Sequence, residues 1–416
     1  MQRFLSILLL SAPALCAQVK APDVKKNPIS LLPDGSVLKG VLLPRYDADR
    51  NLVGDLKAET MTLLDSKRVQ GENVLIRFYN PDRSLRGKVN LDNALFDQQK
   101  SRLSAKEPVE ITTDRLVARG SGLVYAFQGG EGFLRGPVTT WISAPPTATS
   151  MNANPLPAAA LFALCLAQAP LIAVPPPFVT EEEIAAIKAE AASVKPEADK
   201  ATASTEANLT ESVAKGDKAS AAAQAFIKTS EIKVIAAEAT EKEPEAKPLE
   251  VKPGPDDTLI TCEGGMYFDA DEGVLVYLKN VKVTDPRFNL SAGGQLKVFF
   301  DKKPENKKPG EKEKKGETQA GPANFGDIKK LVAEGAVVFD QKGVGGKDPV
   351  KASGSILTYD VPDGEIIIHG GYPWVKQGTY YARAMEPDLT LRLLNDGSFS
   401  TQGNWQMGGN MNLKGQ

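Results

Sequence analysis

The sequence predicts an all-β chain of two strand-rich blocks joined by a long linker of different composition. Three observations carry this. Short runs of β-branched and aromatic residues recur between Gly, Pro, Asn and Asp turn signals, at roughly ten-residue spacing. Several of these runs alternate apolar and polar residues, the period of a strand with one buried face. Residues 146–256 lose that pattern and become rich in Pro, Ala, Glu and Lys.

Residues 1–17 read as a secretory signal peptide. Arg3 precedes the apolar run Phe4 to Leu10, and a small-residue stretch ends at Ala17. The run is too short to span a bilayer as a helix. An uncleaved N-terminal anchor is the alternative. A lipid-modified Cys16 fits poorly, because Pro13-Ala14-Leu15 lacks the small residue expected just before such a cysteine.

Residues 18–145 form the first β block. Val74-Leu75-Ile76-Arg77-Phe78-Tyr79 is followed by the turn signal Asn80-Pro81-Asp82, and Gly87 to Leu91 and Val109 to Thr112 alternate. The linker follows. Its segment 156–174 is apolar, but Gln168 and Pro170 interrupt it and no close Lys or Arg sets an orientation, so an interfacial or packed segment is expected over a membrane span. Thr180-Glu181-Glu182-Glu183 is a capping-box signal. From 181 to 250 the chain is largely Ala, Glu, Lys, Ser and Thr with Phe226 as its one aromatic, and reads as a solvated spacer that is largely disordered or fitfully helical. Weak docking around Phe226, Ile227, Val234 and Ile235 is the alternative.

Residues 257–416 return to the strand pattern, interrupted by a charged insertion at 301–322. Twelve of the seventeen residues from Asp301 to Glu317 are charged, seven of them Lys. The five interspersed acids favour a solvated excursion over a phosphate-binding loop. The two blocks share a hairpin. Shifted by 234 positions, Ala118, Gly120, Ser121, Leu123, Tyr125, Gly130, Glu131 and Gly136 fall on Ala352, Gly354, Ser355, Leu357, Tyr359, Gly364, Glu365 and Gly370. Pro362-Asp363-Gly364 is the stronger turn of the two copies.

Composition excludes several functions. The chain has 416 residues, with 50 Lys+Arg against 52 Asp+Glu, so no basic excess points to nucleic acid. His369 is the single histidine, which removes His-based metal sites and His-dependent triads. The carboxylate pairs Asp269/Asp271 and Asp360/Asp363 fall in expected turns, where Asp serves the backbone. No phosphate loop, nucleophile elbow or Cys/His spacing is present. No cofactor and no catalytic centre are therefore expected. Trp141, Trp374 and Trp405 keep sugar stacking open as a lesser reading. Cys165 and Cys262 are free to pair in an oxidising compartment, but their spacing does not demand it.

The run from Ala333 to Gly378, AEGAVVFDQKG…ASGSILTYDVPDGEIIIHGGYPWVKQG, resembles the OstA-like domain of periplasmic lipopolysaccharide-transport proteins, the LptA–LptC family. Gly370, Pro373, Val375, Gln377 and Gly378 fit its G-x-P-x-V and Q-G pattern, with Tyr372 shifting Pro373 by one residue. The stretch 268–283 fits a second family pattern, with Lys279 where Gly is common. The first block is similar to the LptC member, without sharp motifs. The resemblance implies β-jellyrolls whose twisted sheets form an open groove. It also implies a periplasmic protein that binds lipopolysaccharide or a related glycolipid and passes it toward the outer membrane. Its partners would be other envelope transport proteins, or further copies of itself, joined through strand edges. Burying acyl chains gains roughly 0.8 kcal/mol per methylene. The expected groove residues are Val274, Val276, Leu278, Val281, Val283, Val337, Phe339, Leu357, Tyr359, Ile366, Ile368, Leu389, Leu391 and Leu393. The competing reading is a filled sandwich core and a non-catalytic structural scaffold of the envelope with no lipid ligand.

Overall fold

The computed structural model describes residues 32–46, 50–80, 82–127, 129–143, 206–230, 254, 256–270, 272–302, 325–343, 348–394 and 398–409. Among them, 24 strands form one antiparallel hydrogen-bonded sheet, folded over on itself into two layers.

The repeating unit is a bent rung. Four long strands open the chain: β1 (Val37–Tyr46), β2 (Leu52–Leu63), β3 (Arg68–Tyr79) and β4 (Leu85–Asp97). Each later rung is two short strands, one per layer, joined at a corner: β5 (Arg102–Ala105) with β6 (Val109–Thr113), β7 (Leu116–Gly120) with β8 (Gly122–Ala126), and β9 (Glu131–Arg135) with β10 (Val138–Ile142). After the linker come β11 (Thr258–Cys262) with β12 (Gly265–Asp269), β13 (Val274–Leu278) with β14 (Val281–Thr284), and β15 (Phe288–Ala292) with β16 (Gln295–Lys302). The bent strands β17 (Phe325–Gln341) and β18 (Val350–Asp360) each run through both layers. The last rungs are β19 (Glu365–His369) with β20 (Trp374–Gln377), β21 (Tyr380–Ala384) with β22 (Thr390–Leu393), and β23 (Phe399–Thr401) with β24 (Trp405–Gly408).

Pairing separates the layers. Beyond β4, layer A runs β6, β7, β10, β11, β14, β15, the end of β17, the start of β18, β20, β21 and β24. Layer B runs β5, β8, β9, β12, β13, β16, the start of β17, the end of β18, β19, β22 and β23. The two sequence blocks meet at β9–β12 and β10–β11, so hydrogen bonds carry one structure across the linker.

The corners stack into a crease along one flank. The bonding continues through it: Gly293 N–H donates to the Gly335 carbonyl at 2.6 Å and Lys279 N–H to that of Gly294 at 2.7 Å. Gly335 shows why glycine is needed there. Its φ is +88°, and a Cβ would sit 2.7 Å from the Gly294 nitrogen. This geometry accounts for the duplicated hairpin. Gly120-Ser121 and Gly354-Ser355 are corners, where Ser121 N–H bonds Arg135 O at 3.0 Å and Ser355 N–H bonds Gly370 O at 2.9 Å. Gly130 and Gly364 each adopt φ +62° in the turns.

The linker holds a helix, α1, at 206–229, packed on the back of layer B. For these residues the expectation of a solvated, disordered spacer is corrected. One face carries Leu209, Ser212, Gly216, Ala219, Ala223 and Phe226 at alternating three- and four-residue spacing, and all are buried. Small residues let the helix approach the sheet closely, so little side-chain area is needed. The alternative of docking around Phe226 and Ile227 is what the structure has; Val234 and Ile235 lie outside the described residues. So do residues 1–17, the segment 156–174 and most of the charged insertion. Among the described residues no helix is long and apolar enough to cross a membrane.

Candidate lipid-binding interior

The inner faces of the two layers form one apolar core running from Ala58 to Leu393. Val281, Val283, Val337 and Phe339 come from layer A; Leu357, Tyr359, Ile366, Ile368, Leu391 and Leu393 come from layer B; all are buried within this core. Leu389 stands at a corner, half-buried and outside the core cluster. Val274, Val276 and Leu278 lie on the opposite face of β13, beneath α1, with Val124, Phe133, Tyr267, Phe299 and Val332. The inward residues of that strand are Leu275 and Tyr277, each 0% exposed. Val274 to Leu278 is apolar throughout, so alternation offers no way to choose its inner face; the partner register decides it.

Leu134, Met266, Phe268, Leu296 and Val298 are further inner residues of layer B that sequence reasoning missed. The available signal was the apolar run Met266-Tyr267-Phe268 in β12, which marks burial on both faces, and the alternation of Leu296 and Val298 about Lys297 in β16.

The interior is filled. A void of about 10 Å³ remains between Ile111, Leu116, Ala118, Met266, Phe268, Leu275 and Phe325, room for one water at most. Aromatic contacts reach the flank opposite the crease: Phe288 meets Phe339 at 5.3 Å and Tyr359 edge-on at 5.7 Å, and Phe300 meets Phe325 at 4.9 Å. An ion pair between Arg115, in the turn after β6, and Asp327, on β17, bridges the tips of the two layers. Among the described residues the two inner faces meet at buried side chains, and the open groove expected from the resemblance is not seen in this conformation. A separate hollow of about 610 Å³ lies at the bend of β1, β2 and β3, lined by Lys39, Lys57, Glu59, Thr60 and Asn73 among others.

Both ends differ from the filled middle. Among the described residues β1 pairs only with β2, while Val37, Leu42, Leu43 and Tyr46 are exposed. At the far end, again among the described residues, β24 pairs only with β21, and Tyr380, Tyr381 and Met407 are exposed. Each end thus presents an unpaired strand edge beside apolar side chains.

The remaining polar groups serve the fold. Asp285 is 4% exposed. Burial opposes its charge, but hydrogen bonds from Arg287 and Thr258 outweigh that and hold its carboxyl below the usual range. Cys262 is a buried free thiol, and burial pushes it up to about 11. His369 Nδ1 lies 3.1 Å from the Thr390 hydroxyl. Asp360 pairs with Lys330 at 3.4 Å. Among the described residues no group of three or more His, Cys, Asp or Glu is placed to hold a metal. Trp141, Trp374 and Trp405 sit on three separate rungs and form no common stacking platform.

No family model matches this chain, and no curated protein matches it. Among solved structures it is similar to LptH of Pseudomonas aeruginosa, described as the LptA homologous periplasmic component of the lipopolysaccharide transport device. The two share 16% identity with a TM-score of 0.27, over 37% of this chain and 95% of that one.

Proposed function

We propose that this protein is a non-catalytic periplasmic carrier that takes up the acyl chains of lipopolysaccharide or a related glycolipid and passes it toward the outer membrane. The observation that carries this reading is the apolar interior continuing from one unpaired sheet edge to the other. The motif resemblance over 333–378 supports it from the sequence. Uptake requires the layers to part. The crease, bonded rung to rung, acts as the hinge; the opposite flank is held by side-chain contacts and the Arg115–Asp327 pair, and is the side that opens. Each methylene buried gains roughly 0.8 kcal/mol, so several acyl chains offset the lost contacts between layers. The two edges then join envelope partners or further copies by strand addition, extending the sheet and its interior.

The filled interior favours a second reading, an envelope scaffold with no lipid ligand. Mass spectrometry of lipid extracted from the purified mature chain separates the two. Co-purified glycolipid, or saturable uptake of added lipid A, is expected of the carrier. A lipid-free protein that takes up none under conditions where its layers exchange amide hydrogens would leave the scaffold standing.

A further inference from the structure

The junction of the two sequence blocks differs from every other step between rungs. Elsewhere short turns or a shorter insertion join neighbouring rungs; here residues 143–257 intervene between β10 and β11. Closing so long a loop costs more chain entropy than closing a turn. Helix α1 belongs to that loop and lies across the junction. Its apolar residues share one buried cluster with Val124 and Phe133 from the first block and with Tyr267, Val276, Phe299 and Val332 from the second.

Polar contacts fix its direction. Lys330 on β17 donates to the Ser212 hydroxyl at 2.8 Å, and Ser220 donates to Gln295 on β16 at 3.1 Å. Phe226 meets Tyr267 on β12 at 5.7 Å between ring centres. Arg102 on β5 donates to the Thr229 carbonyl at 3.4 Å. The helix therefore runs across the strands from β17 to β5. Its length, roughly 36 Å, matches the roughly 29 Å that the layer spans from β5 to β17 at strand spacing.

The surface beneath is shaped for this occupant. Lys297 is fully buried there and paired with Glu334. Gly216 passes directly over it, and a Cβ at that position would lie 3.3 Å from Lys297 Cδ and 3.4 Å from Val332 Cγ1. Glycine inside a helix is less favourable than alanine, and here it permits the close approach. Lys215 places its ammonium 4.7 Å from the Phe299 ring centre, flanking the contact.

We propose that the back of layer B is a specific helix-receiving surface, and that residues 206–229 occupy it as a clamp that locks the junction between β9 and β12. This stands independently of any lipid ligand. Hydrogen exchange on the full chain tests it. In the wild type, amides of α1, β9 and β12 are expected to open together. In Phe226→Asp, β9 and β12 amides are expected to exchange about tenfold faster or more, with β2 and β3 unchanged. Adding a synthetic 206–229 peptide restores protection, whereas the same peptide carrying Phe226→Asp does not. The proposal is overturned by helix amides that exchange as in a free peptide while the junction stays protected. It is equally overturned by a folded variant whose junction is unchanged, or by a rise that is uniform over all strands. Should Phe226→Asp fail to fold, the wild-type pattern alone decides.

Discussion

Layers A and B are built from the same rungs and share one interior, yet their backs differ. On layer A the outward positions of β6, β7, β14 and β18 include Glu110, Arg119, Lys282 and Lys351, beside the buried Val117. On layer B the corresponding positions of β8, β9, β12, β13 and β16 are Val124, Phe133, Tyr267, Val276 and Phe299, covered by α1. Strand sequences carry this difference. Val109-Glu110-Ile111 and Val281-Lys282-Val283 alternate, whereas Met266-Tyr267-Phe268 and Val274 to Leu278 do not. Alternation means one wet face; an unbroken apolar run means a cover on both. The runs of layer B thus announce a covering element, and the heptad in 209–226 supplies it.

The sharpest way to break this comparison is at the shared interior. Phe268→Ala in layer B and Phe339→Ala in layer A should each cost about 3–5 kcal/mol in urea unfolding. A much smaller loss in one layer would mean that the interiors are not equivalent. The backs should then diverge. Val276→Asp sets a charge beneath α1 and should cost about 3 kcal/mol or more, while Lys282→Ala on layer A should stay within about 0.5 kcal/mol. Equal effects would remove the distinction between covered and bare layers.

At the first edge strand, Leu43→Asp should change stability by less than about 1 kcal/mol but abolish end-to-end crosslinking of chains or of chain to envelope partner. Crosslinking that persists would place assembly elsewhere. The smallest effect concerns pH. The folded carboxyl of Asp285 is held below its unfolded value, so its stabilisation is present above the unfolded value of about 4 and is lost as pH falls through the lower folded one. Asp285→Asn should flatten that part of the acid limb in unfolding measured from pH 5 to 2, and a limb of unchanged slope would show that Asp285 does not contribute to it.

Much of the candidate interior was legible. Val281, Val283, Leu391 and Leu393 alternate with polar residues, which orients them, and the structure places all four inside. Val274, Val276 and Leu278 were not orientable, because every residue between 274 and 278 is apolar and the face is chosen by pairing with β12 and β16. That the fitfully helical stretch settles as a docked helix over 206–229 was not legible, for a related reason. Ala, Gly and Ser at its contact positions carry little hydrophobic signal, and their value is in allowing a close approach to a surface that local sequence does not reveal.

The β character of the chain, its turn positions and the duplicated hairpin were determined by the sequence alone, since each depends on local backbone preference and side-chain period. Only the tertiary structure decided that the two blocks join through β9–β12, that the interior closes on itself, and that part of the linker returns to cover one layer. Those outcomes rest on contacts between residues far apart in the sequence, where the stabilisation belongs to the pair and is invisible in either segment.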